Sequence, residues 1–243
     1  MKSASIVGAA QLAVRAMNLL DILFPKKCIN CKKFGDFLCA DCFAKIKYNE
    51  SFEPVSGELD GVISAVIYNS IIRKLIRQFK YKPYVSKLAE IISEIMNEGL
   101  AQNEAFYNFI EQFESVIIPI PLSPRRLRER GYNHAEILAS FVAKYFDLKI
   151  EPKILVRIKE TKPQFRLNKE ERKKNVEDAF SVRKDPKTPL LGQRPTGPAA
   201  NIPKAVVIID DLATSLATLK EAAKVLKSAG AKKVLGVTFA REV

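Results

Sequence analysis

Two adjacent carboxylates followed by hydroxyl side chains form the clearest chemical pattern in the sequence. The apolar run 204–209 ends in Asp210 and Asp211. Three hydroxyl residues follow as a helix begins: Thr214, Ser215 and Thr218. Ligands of open α/β sheets bind at the carboxyl ends of strands, and helix N-termini bind phosphate. Carboxylates bind sugar hydroxyls and favour magnesium. The pattern indicates a phosphorylated-sugar site, with simple helix capping as the alternative.

Four cysteines form a second group with chemical potential. They are two C-x-x-C pairs separated by seven residues: Cys28, Cys31, Cys39 and Cys42. This spacing suits a tetrahedral zinc site, in which the sulfurs lie about 2.3 Å from the metal. Four thiolates leave no open coordination position, so we expect a structural zinc and a reducing cytoplasm. A redox pair or unrelated thiols are the alternatives.

A cluster of arginines offers a third kind of chemistry. The cluster lies within six residues and comprises Arg125, Arg126, Arg128 and Arg130. Bidentate guanidinium groups suit a pyrophosphate clamp or a nucleic-acid backbone, whereas a solvated helix turn with local ion pairs is the structural alternative. The formal net charge of +13 favours a polyanionic partner, and single-stranded DNA binding of this kind weakens with salt.

The elements that must position these residues alternate between strands and helices. Composition is that of a globular protein, with 47% hydrophobic and 28% charged residues, which excludes a mostly disordered chain, a collagen-like fibre and a polytopic membrane protein. Residue patterns predict strands at 62–68, 115–120, 204–209 and 233–240. They predict helices at 71–79, 85–96, 104–113, 133–146 and 218–229. This alternation predicts an α/β fold with a doubly wound, mainly parallel sheet.

The chain divides into a small and a large predicted domain. Residues 1–50 form an N-terminal helix and the cysteine knuckle, and residues 58–243 form the α/β domain, with a polar linker at 45–61. The proline-rich segment 184–203 is interpreted as a mobile insertion. Residues 1–24 contain polar interruptions and no apolar stretch long enough to span a membrane, so they predict an amphipathic helix that packs on the core, with a membrane-surface helix as the alternative.

Several motifs together resemble a known family. The stretch 206–219 resembles the phosphoribosyl-pyrophosphate (PRPP) motif of type I phosphoribosyltransferases, two acids followed by T-T-G-x-T. Residues 117–139, 161–180 and the acid motif are similar, in order, to the ComF family of competence-associated proteins. That family also begins with a four-cysteine zinc knuckle after a short LFP segment, here residues 23–25. The similarity covers nearly the whole chain except the proline-rich insertion.

The resemblance implies a type I phosphoribosyltransferase-like fold and a division of roles. Asp210 and Asp211 would hold the ribose hydroxyls, and magnesium would accompany PRPP. The 5′-phosphate would contact Thr214, Ser215, Leu216, Ala217 and Thr218. The loop from Pro119 to Gly131 would face pyrophosphate, with some of its arginines balancing the charge. The family's mobile hood would include Thr161, Gln164, Arg172 and Asn175.

Two residues depart from the family pattern. Leu216 stands where the motif has glycine, which lets the backbone approach phosphate and takes unusual dihedral angles, so leucine counts against full transferase activity. His134, the single histidine, stands where the family usually has glutamine. A general base is one interpretation of His134, and a helix-start residue that bonds nearby backbone is the other.

The resemblance favours a role in DNA uptake during natural transformation. The chain would bind PRPP and single-stranded DNA, and the zinc knuckle would dock a competence helicase or translocation protein. One alternative is an active magnesium-dependent phosphoribosyltransferase of unknown acceptor in nucleotide metabolism. Another is a regulator that senses PRPP without binding DNA.

Overall fold

The computed structural model describes residues 26–81, 85–161, 169–183 and 202–242. The predicted N-terminal helix, Gln164, the side chain of Arg172 and nearly all of the proline-rich segment lie outside the described residues. The described helices are α1 (Ala40–Phe43), α2 (Ser70–Phe79), α3 (Val85–Ala101), α4 (Glu104–Gln112), α5 (Pro124–Arg130), α6 (His134–Tyr145), α7 (Lys169–Val176) and α8 (Ala217–Ser228). The described strands are β1 (Phe52–Pro54), β2 (Gly61–Ile67), β3 (Ser115–Pro119), β4 (Lys149–Ile150), β5 (Leu155–Arg157), β6 (Phe180–Val182), β7 (Ala205–Ala213) and β8 (Lys233–Arg241).

The main sheet confirms the predicted α/β class. Its strands run in the order β1-β2-β8-β7-β3-β4 in the described chain. The pairs β2–β8, β8–β7, β7–β3 and β3–β4 are parallel, and β1 joins the edge antiparallel to β2. Strands β5 and β6 form a separate antiparallel pair.

Helices cover both faces of this sheet. Along β7, Val207 and Ile209 belong to one buried cluster with residues of α2, α3 and α6. Val206 and Ile208 belong to the other cluster, with residues of α8 and of the β5–β6 pair. Successive side chains of a strand point to opposite faces, so β7 is buried on both sides, as a central parallel strand requires.

The topology places a crevice between β3 and β7. After β3 the chain returns to the sheet through α6 on one face, whereas after β7 it returns through α8 on the other. The two strands are neighbours in parallel register, with Ile118 opposite Ile208. In open α/β sheets such a switch point opens a crevice at the carboxyl ends of the strands, where ligands bind.

Several element predictions held, and others need correction. The helix predicted over 133–146 is α6, and its capping residue is Asn133 as predicted, whose side chain accepts a hydrogen bond from the Ala135 N–H at 3.1 Å. The predicted linker 45–61 contains β1, because its backbone pairs with β2 and closes one edge of the sheet. Strand β7 extends to Ala213, so both acids lie within its last residues rather than beyond it.

The cysteine segment packs directly on the larger fold. Cys28, Cys39 and Cys42 are buried in the same hydrophobic cluster as the apolar side of α2. A hydrogen bond also joins the cysteine segment to α2, because Lys74 Nζ donates to Asn30 Oδ1 at 2.8 Å. In the described part of the chain, every helix is too short or too polar to cross a bilayer.

Candidate functional site

A cleft of about 560 Å³ opens at the carboxyl ends of β3 and β7. Its lining includes the acid pair and two hydroxyl residues of the predicted phosphate loop, Thr214 and Thr218. It also includes cationic side chains from three separate segments: Lys80, Arg126, Arg130 and Arg157. The sequence-predicted acids and part of the arginine cluster therefore meet in one cavity, at the switch point of the sheet.

The two adjacent acids occupy different surroundings. Asp211 lies on the side of β7 that faces α2 and α6, and it is almost completely buried. Its Oδ2 lies 2.7 Å from Lys80 Nζ, and its Oδ1 lies 3.3 Å from His134 Nε2. Asp210 is partly exposed, and its Oδ1 accepts a hydrogen bond from the Asp211 N–H at 2.9 Å.

These surroundings drive the two carboxyl pKa values apart. Burial, followed by the neighbouring charge of Asp211, raises the pKa of Asp210 to about 7. Although burial opposes it, the charge of Lys80 and the contact with His134 hold the pKa of Asp211 well below its usual range. Asp211 is therefore ionised near neutral pH, whereas Asp210 keeps its proton below about pH 7 and loses it above that pH.

His134 connects Asp211 to the arginine cluster. Burial lowers the pKa of the His134 ring, so the ring is neutral at pH 7. An Arg130 guanidinium nitrogen lies 3.0 Å from Nδ1, so Nδ1 is the acceptor, and the Nε2–H is left to donate to Asp211. Both ring nitrogens are engaged by side chains. The sequence-based interpretation that His134 bonds nearby backbone is therefore wrong. To act as a general base, His134 would first have to release its Nδ1 lone pair from Arg130.

The structure divides the predicted arginine cluster. Arg126 and Arg130 line the cleft at either end of α5, which ends at Gly131 in a left-handed conformation (φ 81°) that glycine favours. Arg125 and Arg128 are exposed on the opposite side of this short helix, and Arg125 Nε pairs with Glu129 at 2.8 Å. Spacing along a helix explains the division, because residues four apart share a face.

Arg157 joins the cleft from β5 and was not predicted. It is buried, and its guanidinium donates to the hydroxyl of Thr161, the first residue of the predicted hood. Burial, together with repulsion from Arg126, lowers the pKa of Arg157 to about 10. Its Nε–H has no hydrogen-bond partner among the described residues. A charged residue inside the apolar run 154–158 was the available signal.

The predicted phosphate loop is compact. Leu216 adopts φ 57° and ψ 2°, the left-handed region that the family's glycine would favour, while its side chain is buried against α8. The Ser215 hydroxyl is buried without a partner in the described chain. Residues 210–219 enclose a cavity of about 10 Å³, which is about enough for one water molecule. A bound phosphate would require this loop to open.

The remaining predicted hood residues are only partly described. Thr161 contacts two of the three cleft arginines, since its carbonyl accepts from Arg126 at 3.1 Å and its hydroxyl accepts from Arg157. Asn175 is half-buried on α7. The backbone of Arg172 is part of α7.

The four cysteines converge as predicted. Their sulfurs all lie within 4.8 Å of one another, and Cys31 Sγ and Cys39 Sγ are 3.5 Å apart. A tetrahedral site with Zn–S distances of about 2.3 Å separates its sulfurs by about 3.8 Å, so the cluster is compatible with a structural metal such as zinc. Although burial raises it, backbone N–H groups of Cys31, Cys39 and Asn30 lower the pKa of the Cys28 thiol to about 6, which favours the thiolate.

Fold and site define an α/β protein with a cation-lined cleft at a sheet switch point and a four-cysteine cluster. No family model matches the sequence. Competence protein F of Haemophilus influenzae is 30% identical over 118 residues, which are 49% of this chain and 46% of that protein. The similarity therefore spans about half the length of that relative.

Two further relatives carry a second description. The DNA utilization protein YhgH of Salmonella typhimurium is 24% identical over 173 residues, covering 71% of this chain and 68% of that protein. The YhgH protein of Escherichia coli K12 is 27% identical over 123 residues, or 51% and 48% of the two chains. The chain is a distant homologue of Competence protein F and of the YhgH proteins, which confirms the resemblance to the ComF family.

Proposed function

We propose that the cleft binds PRPP, with its ribose hydroxyls at the acid pair and its phosphates toward the cleft arginines. The observation that carries this proposal is the convergence of Arg126, Arg130 and Arg157 on one cleft beside the acids. Arg157 is buried and Arg126 is half-buried beside it, so their guanidinium charges repel each other in surroundings that water screens weakly. Although Glu129 and Glu242 also line the cleft, a ligand with several phosphate groups would reduce this repulsion.

The loop before α8 supports the same ligand. The side chain of Leu216 at the N-cap provides no hydrogen bond to the first N–H groups of α8. Helix N-terminal amides bind phosphate, and the Ser215 hydroxyl, which has no hydrogen-bond partner among the described residues, adds a donor. The 5′-phosphate would lie here after the loop opens, while pyrophosphate would lie toward α5.

Calorimetric titration tests this proposal directly. PRPP, ribose 5-phosphate and pyrophosphate would each be titrated into the wild-type protein with magnesium. PRPP should bind with saturation and more tightly than either fragment, because it reaches both ends of the cleft. Equal, weak binding of all three compounds would show general anion attraction and would contradict a phosphoribosyl site.

We further propose that the protein acts in DNA uptake through single-stranded DNA. The descriptions of the relatives, competence and DNA utilization, support this role. Arg125 and Arg128 are exposed outside the cleft lining, where Arg128 and, on leaving its ion pair with Glu129, Arg125 would contact a nucleic-acid backbone. Fluorescence anisotropy with a labelled oligonucleotide should show binding that weakens steeply with salt and weakens further in Arg125→Gln/Arg128→Gln. Absence of binding at low salt would leave a PRPP sensor that does not bind DNA.

The cysteine cluster belongs to the same proposal as a zinc-stabilised docking unit. Zinc would hold residues 28–42 in a fixed shape against α2, and a competence helicase or translocation protein would bind there. Two large apolar side chains of the cysteine segment, Phe34 and Phe43, are 63% and 40% exposed, which supports a surface that a protein partner covers.

A phosphoribosyltransferase acting on a nucleobase is the second candidate function. The observation that favours it is Tyr81 at the cleft, whose ring is 62% exposed and lies 5.9 Å from the Arg130 guanidinium. An exposed aromatic ring beside a phosphate site can stack on an acceptor base. Release of pyrophosphate from PRPP in the presence of a nucleobase would support this function, and Tyr81→Ala should then raise KM for the base.

A further inference from the structure

The acid pair already has a cation that belongs to the protein. Lys80 directly follows α2, and its Nζ lies 2.7 Å from Asp211 Oδ2. The Lys80 side chain is 24% exposed and that of Asp211 is 4% exposed. Water therefore screens this ion pair weakly, and a close charge pair in such surroundings holds its partners firmly.

Protein donors face three of the four carboxylate oxygens. Asp211 Oδ2 forms the ion pair with the Lys80 ammonium but has no hydrogen bond of good geometry in the described chain. Asp211 Oδ1 faces His134 Nε2 at 3.3 Å, and Asp210 Oδ1 accepts the Asp211 N–H. His134, Asp210 and Asp211 have the residue types and the spacing of a metal site, because their ligand atoms lie within 4.8 Å of one another. The Lys80 ammonium beside Asp211 argues against a metal ion at these residues.

Magnesium does not fit the acid pair in this arrangement. The ion needs oxygen ligands at about 2.0–2.1 Å in octahedral geometry, and it keeps several of its waters. The Lys80 ammonium lies where such an ion would approach Asp211, and two like charges cannot share that carboxylate at low cost. The expectation of magnesium at these acids stays a prediction, and the ion pair between Lys80 and Asp211 argues against it.

We propose that Lys80 is the resident cation of the acid pair and excludes divalent cations from Asp210 and Asp211. The exclusion of divalent cations concerns the free protein. The effect of Lys80 on PRPP binding rests on the proposed function. The acids would meet the ribose directly, with Lys80 holding the Asp211 carboxylate in place. A divalent ion could then enter the cleft only on the phosphates of the ligand.

Manganese titration of the free protein tests the exclusion. Unbound Mn²⁺ is measured by electron paramagnetic resonance for wild type, Lys80→Met, Lys80→Gln and the control Lys87→Met. Lys87 pairs with Glu90 at 2.8 Å on the exposed surface of α3, so the control also breaks an ion pair. Lys80→Gln keeps a donor near Asp211 if the Met variant fails to fold.

Wild type and the control should show no Mn²⁺ site at the acid pair, whereas a folded Lys80 variant should bind one further Mn²⁺ ion. Adding Asp211→Asn to that variant should remove this ion. The proposal is overturned if the wild type binds Mn²⁺ and loses it in Asp211→Asn, a comparison that needs no Lys80 variant. It is equally overturned if folded Lys80 variants gain no ion.

PRPP titration separates this inference from the proposed function. Lys80→Met should make PRPP affinity depend more steeply on magnesium than it does in wild type. If wild type binds no PRPP at any magnesium concentration, the proposed function fails while the Mn²⁺ result still decides the exclusion. If PRPP binds and both proteins show the same magnesium dependence, the role of Lys80 toward the ligand is refuted.

Discussion

Arg126 and Arg157 both donate hydrogen bonds to Thr161, one to its carbonyl oxygen and the other to its hydroxyl. They come from α5 and β5, which are far apart in sequence. Thr161 thus holds together two guanidinium groups whose charges repel, and the charge of Arg126 contributes to lowering the pKa of Arg157. The start of the predicted hood is therefore bound to the cations that would meet pyrophosphate.

Arg157→Met should separate stability from ligand binding. The substitution removes a buried charge whose Nε–H lacks a partner in the described chain, so the melting temperature without ligand should stay equal or rise. PRPP affinity should fall at least tenfold, because charge-assisted hydrogen bonds to phosphate are lost. Thermal unfolding and calorimetry measure the two effects.

The matched control for this variant is Arg128→Met, which removes an exposed arginine outside the cleft. It should change neither the melting temperature nor PRPP affinity appreciably. A large drop in the stability of Arg157→Met with unchanged affinity would mean that Arg157 is a structural residue.

The raised pKa of Asp210 predicts a specific pH dependence of stability. Because the folded state holds this proton more tightly than the unfolded state, the contribution of Asp210 to stability decreases as pH rises from about 4 to about 7. The slope is at most about 1.4 kcal/mol per pH unit. Asp210→Asn removes this contribution, so its stability advantage over wild type should grow across that range and level off above it.

Urea unfolding of both proteins at several pH values measures that advantage. The lowered pKa of His134 acts in the opposite direction, since its contribution is lost as pH falls below about 6.5, but it is present in both proteins and largely cancels in the difference. A difference that stays constant from pH 4 to 8 would contradict the raised pKa.

Local patterns predicted the main strands, the cap at Asn133 and the position of the acid pair, because each depends on residues close together in sequence. The surroundings of the acids were not predictable in this way. Lys80 directly follows helix α2, and the apolar spacing of α2 shows only that one side of this helix is buried. That spacing does not indicate that the last turn of α2 approaches β7. Arg157 reaches the cleft from the β5–β6 pair, which packs beside α8 and forms a sheet separate from the main one in the described chain.

The alternation of side chains along β7 explains why Asp210 and Asp211 have different surroundings. The sequence indicates two equivalent carboxylates, since it places Asp210 and Asp211 side by side. In a strand buried on both faces, neighbours point in opposite directions, so Asp211 meets α2 and α6 while Asp210 lies toward Arg157. The difference between the acids therefore comes from tertiary packing.

Leu216→Gly should increase PRPP affinity at least tenfold. Glycine accepts φ 57° without strain and removes the Cβ that would crowd a phosphate. The free protein should lose about 1 kcal/mol of stability, since the lost burial of leucine exceeds the relief of left-handed strain. Leu216→Ala is the matched control, because it removes the bulk and keeps the Cβ. An equal gain in both variants would assign the effect to side-chain bulk, and no gain in either would show that leucine does not limit binding.

Cys31→Ser tests whether the cysteine cluster holds zinc. Cys31 is exposed, so exchanging its sulfur for oxygen should change stability little unless the thiolate binds a metal. We expect one zinc per wild-type chain after purification without added metal, and a melting temperature lowered by chelator in wild type. The variant should contain less zinc and melt at the lower temperature without chelator, because the binding free energy of a structural zinc stabilises the folded segment. Elemental analysis and calorimetry measure both quantities. Full stability of wild type with well below one zinc per chain would instead favour reduced, unbound thiols.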